Sequence, residues 1–171
     1  MEQIHKCKSI RLKEYDYSQA GWYYITICTK DKMCLFGRVV NGKTILNKIG
    51  TIVKKHWEEI PKHFCHVELD EYVVMPNHLH GIIIINNVGV QNFEPQQNKF
   101  QHIIPKSLGS IIRAFKSSVT QWCNKNELKY FRWQRNYYEH IIRSKKSLYN
   151  IRQYIINNPL KWELDDEYSE S

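Results

Sequence analysis

The chain predicts an α+β sandwich: one antiparallel sheet with helices packed mainly on one face. Two observations carry this. Residues 67–74, which alternate moderately, and the apolar, β-branched run 78–85 are separated only by Met75-Pro76-Asn77, a connection of hairpin length. Residues 46–60, 107–125 and 147–158 instead repeat their apolar side chains at helical spacing.

The elements follow in order. Residues 1–20 are polar and basic and read as a lead-in arm. Trp22-Tyr23-Tyr24-Ile25-Thr26-Ile27-Cys28 is aromatic and β-branched, hence a strand. Residues 34–40 read as a short strand, and Asn41-Gly42 is a turn signal. Ile49, Ile52, Val53 and Trp57 mark an amphipathic helix over 46–60, stopped by Pro61. Residues 67–74 alternate moderately, and 78–85 form the most apolar strand. Residues 86–105, rich in Asn and Gln without periodicity, read as a linker, a mobile loop or an insertion. Ser107 caps a helix through Leu108, Ile111, Ile112, Phe115, Val119 and Trp122, with Arg113 and Lys116 on its outer side. Residues 131–134 suggest a short edge strand, and 138–143 a helical turn or a short strand. Ser147 caps a last helix through Leu148, Ile151, Tyr154 and Ile155, ended at Asn158-Pro159. At 171 residues this is one domain, 1–171, with a polar insertion at 86–105 and an acidic tail at 163–171.

Charge is uneven along it. The net charge is +8, yet the last nine residues hold five acids and no Lys or Arg. Between Lys99 and Arg152 there are twelve basic residues against two acids. That field favours a polyanionic partner, nucleic acid first and an anionic membrane second. The five cysteines are odd in number, widely spaced and without a C-x-x-C pair, which argues against a disulfide framework and for a reducing cytoplasm. No apolar run approaches the ~20 residues of a membrane span, and no signal peptide is evident.

Three clusters could carry chemistry. His78 and His80 are two apart on a strand, so both imidazoles share one face while Leu79 anchors the other. They are half of a divalent-metal site or the ring pair of an ordinary strand. Tyr154 and Asn158, four apart, share a helix face. They offer a nucleophile and an amide ligand, or Tyr154 merely extends the core stripe. Residues 133–143 interleave aromatics with Arg, which suits stacking on single-stranded nucleic acid or an edge strand with core aromatics. Candidate DNA contacts are Arg113, Lys116, Arg132, Trp133, Arg135, Tyr137 and Arg143. Glu139 and His140 are candidates for supporting a metal site. His63-Phe64-Cys65-His66 matches no zinc spacing and reads as a surface loop.

Taken together, several motifs are more specific than any one alone. They are Val73-Val74-Met75-Pro76-Asn77-His78-Leu79-His80, then Ser107-Leu108-Gly109 with Phe115-Lys116-Ser117. Trp133-Gln134-Arg135-Asn136-Tyr137-Tyr138-Glu139-His140-Ile141-Ile142-Arg143 and Tyr154-Ile155-x-x-Asn158-Pro159 follow, with Tyr15-Asp16-Tyr17-Ser18 and Tyr24-Ile25-Thr26-Ile27-Cys28-Thr29 upstream. In this order and spacing the chain resembles the REP-associated tyrosine transposases, single-tyrosine members of the His-hydrophobe-His (HUH) nuclease superfamily. The resemblance covers residues 11–162; the 86–105 stretch and the acidic tail lie outside its motifs.

The resemblance implies a ferredoxin-like (RRM-like) fold and metal-dependent cleavage and rejoining of single-stranded DNA. Tyr154 would be the nucleophile, forming a 5′-phosphotyrosine. His78, His80 and Asn158 would bind Mg²⁺ or Mn²⁺. It further implies hairpin or palindromic repeat DNA as substrate, a monomer, and a cytoplasmic, nucleoid-associated location. The alternative is a non-catalytic DNA-binding regulator of the same fold.

Overall fold

A computed structural model describes residues 19–86 and 107–169 of the chain. The lead-in arm up to residue 18, with Tyr15-Asp16-Tyr17-Ser18, and the Asn/Gln-rich stretch from 87 to 106 lie outside the described residues.

The central sheet has four strands in the order β4-β5-β1-β6, every neighbouring pair antiparallel. They are β1 (Gly21–Cys28), β4 (Val67–Val74), β5 (His78–Ile85) and β6 (Tyr138–Ile142). A separate hairpin joins β2 (Gly37–Val40) to β3 (Lys43–Leu46). Its tip is Asn41-Gly42, with φ of 51° and 68°. Two positive φ angles define the type I′ turn that hairpin twist prefers.

Alternation on β1 and β5 divides the core in two. Tyr23, Ile25, Ile27, Leu79 and Ile83 face α1 (Lys48–Glu58) and α3 (Leu108–Lys125). Gly81 belongs to this face because Trp57 of α1 lies on it; a Cβ there would stand 2.4 Å from the indole. Tyr24 and Ile82 point the other way and pack with Ile142 against α4 (Lys145–Asn157). Among the described residues, two long helices therefore cover one face, and α4 with the segment that follows it covers the second.

Several boundaries differ from the sequence reading. Residues 43–46 pair with β2 instead of opening the helix, and Asn47 caps α1 by accepting from the Ile49 and Gly50 amides. Pro61 does not stop the chain; it sits in the first turn of α2 (Ile60–His63), where its missing N–H is not needed. Residues 34–36 precede β2 rather than belonging to it. Residues 131–134 form only a single bridge, Thr29 to Trp133, while 138–142 is a true strand. Ser144, not Ser147, caps α4, its Oγ accepting from the Ser147 amide at 3.1 Å. Asn158 keeps helical angles (φ −57°, ψ −43°) despite the following proline. The chain tightens there into a 3-10 segment, Asn158–Leu164, which tolerates Pro159 in its first turn.

β4 contains one irregularity. Leu69 pairs with Ile83 and Tyr72 with Gly81, so Asp70 and Glu71 both stand opposite Ile82. This β-bulge explains the only moderate alternation of 67–74 and turns Asp70 toward α4.

Candidate metal and tyrosine site

The two histidines are deeply buried, His78 at 0% and His80 at 2% exposure. Each is held at Nδ1. Asn77 Oδ1 lies 2.7 Å from His78 Nδ1. The Asn77 amide nitrogen donates to the Lys32 and Glu167 carbonyls and to Ser169 Oγ, which fixes the amide orientation. His78 Nδ1 therefore carries the proton, and Nε2 keeps its lone pair. That Nε2 is buried and has no hydrogen-bond partner. His80 Nδ1 sits 2.8 Å from the Tyr24 hydroxyl and 2.9 Å from Thr26 Oγ1, both supplied by β1. The ring centroids are 4.3 Å apart.

Tyr154 reaches the pair from α4, its hydroxyl 3.3 Å from His80 Nε2. The 3-10 segment after Asn158 then folds the chain back, so that Asp165 enters the same space. Its side chain is only 1% exposed. Asp165 Oδ2 accepts from the Tyr154 hydroxyl at 2.6 Å and from Asn158 Nδ2, and stands 3.6 Å from His80 Nε2. Oδ1 accepts from the Glu167 amide at 2.8 Å and is 3.9 Å from His78 Nε2. Among the described residues, His78, His80 and Asp165 are the only His/Cys/Asp/Glu group of three able to share one ion.

Electrostatics sort the protonation states. Burial, then the neighbouring His80, lowers the His78 pKa well below its ordinary value, so the imidazole is neutral near pH 7. Burial alone would raise the Asp165 pKa. The His80 ring close by and hydrogen bonds from Tyr154, the Glu167 backbone and Asn158 outweigh it and hold the carboxyl ionised, well below the ordinary range. Tyr154 is pushed far up by burial and then by its bond to Asp165.

The donor set fits a divalent ion. Neutral imidazole nitrogens and an ionised carboxylate are the forms that bind metal. The Asn158 amide gives its nitrogen to Asp165 and leaves Oδ1 buried with no partner. Two orphaned acceptors, His78 Nε2 and Asn158 Oδ1, beside a carboxylate and a second imidazole suit a cation better than an apoprotein core.

Asp165 was not legible as a ligand, because it sits in an acidic tail that matched no motif. The tail is tied down there. Lys32 Nζ donates to the Asp166 carbonyl at 2.8 Å and pairs with Glu167 at 3.1 Å. Trp162 lies 5.8 Å, centroid to centroid, from His78.

Other candidate residues scatter. Glu139 stands opposite Ile25 on the face away from the histidines, and His140 is exposed. Trp133 packs against Phe36, Phe115 and Phe131 and donates its Nε1–H to the Lys116 carbonyl at 3.0 Å. It is a half-buried aromatic packed against the core. Lys116 is turned inward, donating to the carbonyls of Gln134 (2.6 Å) and Asn136 (3.4 Å), and burial lowers its pKa to about 8. Arg132 donates to the Lys129 and Phe131 carbonyls. Arg113, on α3, lies across the sheet from Tyr154. Arg135 and Arg143 are exposed. Tyr137 and Tyr138 border a cavity of about 530 Å³ beside Tyr154 and His80, with Tyr24, Gln134 and Asn136. Among the described residues, the 63–66 segment belongs to no group of three metal-ligating side chains, and His66 is buried. Cys28, Cys34, Cys65 and Cys123 are free thiols, and no described helix is long and apolar enough to cross a membrane.

A four-stranded antiparallel sheet with flanking helices is the fold of the REP-associated tyrosine transposases. The structure of one such protein bound to a REP hairpin matches with a TM-score of 0.59 at 21% identity, covering 88% of this chain and 74% of that one. An uncharacterized protein of Haemophilus influenzae strain Rd is 50% identical over 170 residues, spanning 96% of this chain and 94% of the relative. The chain belongs to the same family as that protein. A second Haemophilus influenzae protein, described as a REP-associated tyrosine transposase, is 26% identical over 153 residues, spanning 85% of this chain and 74% of the relative. No family model matches the chain.

Proposed function

We propose that the protein is a metal-dependent single-stranded DNA endonuclease and strand transferase of the HUH tyrosine type, with hairpin or palindromic repeat DNA as substrate. The observation that carries this is the meeting of Tyr154 with His80 at 3.3 Å inside a cluster completed by His78, Asp165 and Asn158. The fold shared with a transposase bound to a REP hairpin and the 26% identical relative support the choice of substrate.

In this reading His78, His80, Asp165 and the Asn158 amide oxygen would hold Mg²⁺ or Mn²⁺. When bound, the ion supplies Lewis-acid polarisation of the scissile phosphate. The chain's own residues do the rest. Tyr24, Thr26 and Asn77 fix the imidazoles through their Nδ1 atoms, so that both Nε2 atoms face Asp165. Tyr154 Oη attacks phosphorus, forming a P–O bond while the P–O3′ bond breaks. The 3′ oxygen leaves as a hydroxyl, taking a proton from solvent. Asp165 Oδ2, at 2.6 Å, is the acceptor in place for the phenol proton. Energy conserved in the 5′-phosphotyrosine lets a 3′-hydroxyl reverse the step without ATP. The DNA flank would enter the cavity beside Tyr154, where Tyr138 is 45% exposed, with Arg135 and Arg143 for phosphates.

Incubation with a hairpin oligonucleotide bearing a single-stranded flank, in Mn²⁺, should give a denaturation-resistant protein–DNA adduct. EDTA or His78→Ala should abolish it. Salt-dependent binding without an adduct on any oligonucleotide would instead make the protein a non-catalytic regulator. Cleavage without an adduct would mean that water is the nucleophile.

A further inference from the structure

We infer that Asp70 and Arg152 form a positioning clamp that fixes the rotation of α4 and thereby aims Tyr154 at His80; the aiming role rests on the tyrosine reading above. Arg152 Nε lies 3.0 and 3.2 Å from the two Asp70 carboxylate oxygens, and Nη2 lies 2.5 Å from Oδ2. This is a two-pronged guanidinium–carboxylate contact, which sets direction as well as distance. The Asp70 side chain is only 10% exposed. Its Oδ1 also accepts from the Glu71 amide at 2.7 Å, so the carboxylate is itself held in place.

The β4 bulge exists in the right place for this. Without an extra residue between Leu69 and Tyr72, Asp70 and Tyr72 would share one face of the strand. With it, Asp70 faces α4 while Tyr72 turns back to pack on Trp57 beneath the sheet. An acid displayed toward a helix by a bulge, and met there by both prongs of an arginine, is a designed contact.

α4 needs such a contact because its apolar docking is thin. Over 13 residues it fully buries only Leu148 and Ile155, whereas α3 buries six side chains over 18. Tyr149, Tyr154 and Ile156 are 63%, 43% and 51% exposed. Arg152 and Tyr154 are two residues apart, so they leave the helix axis about 200° apart. Holding Arg152 down on the β4 side therefore sets where Tyr154 points on the β5 side.

The test uses Asp70→Asn, Arg152→Gln and the double variant of the full chain. Amide hydrogen exchange in residues 145–157 should quicken about tenfold in each single variant, with the double no faster than either, while α1 and α3 keep wild-type protection. The rate of adduct formation at saturating hairpin oligonucleotide should fall by a similar factor, with the half-saturating oligonucleotide concentration unchanged. Arg152→Lys, which keeps the charge but loses one prong, should recover part of the rate. Unchanged exchange in α4, or additive effects in the double variant, would overturn the clamp. Faster exchange with an unaltered adduct rate would overturn its role in aiming Tyr154. Exchange is read without cleavage, so absence of any wild-type adduct would count against the tyrosine reading and its aiming corollary while the clamp itself is judged separately.

Discussion

Acidification should destabilise the native protein through His78, and the size of the effect can be worked from its surroundings. Burial and the adjacent His80 lower the folded-state pKa well below the ordinary 6.5. The unfolded chain then takes up a proton that the native state refuses. Stability is therefore lost as pH falls below 6.5, at a limiting slope of about 1.4 kcal/mol per pH unit. Between about pH 7.5 and about pH 5.5 this single group costs about 1.4 kcal/mol, or roughly 3–6 °C in melting temperature for a chain of this size. Urea titrations of wild type and His78→Asn at both pH values isolate it, because the other histidines titrate in both proteins. The variant should be less sensitive to the pH change by about that amount. Equal sensitivity would mean that His78 accepts a proton in the fold, and the open Nε2 lone pair offered to a cation would be lost from the account.

Three further outcomes follow from the site and its surface. Mn²⁺ should raise wild-type stability by about 2.7 kcal/mol at a hundredfold excess over its dissociation constant; His80→Ala should remove the effect, and Trp162→Phe should remove the accompanying fluorescence quenching, since Trp162 lies against His78. Asp165→Asn should bind Mn²⁺ more weakly in calorimetry; its stability deficit against wild type should shrink only as pH falls below 3.8, where the unfolded chain takes up a proton that the native carboxylate refuses. Arg135→Ala should lower the salt slope of single-stranded DNA binding by about 0.7, while Lys116→Met should leave it unchanged and cost stability, because Lys116 serves the Gln134 and Asn136 carbonyls.

Much of this was legible in the chain. The β-branched and aromatic make-up of β1, the apolar run of β5, the moderate alternation of β4 and the Ser107 cap of α3 followed from local pattern, since strand propensity, side-chain alternation and capping are local physics. The same alternation put His78 and His80 on one face. β3 escaped because four residues carry little periodicity and its pairing with β2 is a tertiary outcome. Trp133 could be read as core or as stacking surface until Phe36, Phe115 and Phe131 were seen around it. Asp165 was hidden most completely. Its place depends on a 3-10 segment after Asn158-Pro159 and on Lys32 and Asn77, far away in sequence, gripping the backbone beyond it. No spacing rule encodes that approach. Asp70 was hidden for a related reason: a bulge is visible only once the partner strand is in register.

The account stands on Tyr154 as the residue that becomes joined to DNA. Protease digestion of the Mn²⁺-dependent adduct, followed by peptide mass measurement, reads this directly. The account predicts a nucleotide attached through a 5′-phosphate to Tyr154, and no adduct from Tyr154→Phe under the same conditions. Attachment at Tyr137, Tyr138 or Tyr149, or an undiminished adduct from Tyr154→Phe, would contradict it.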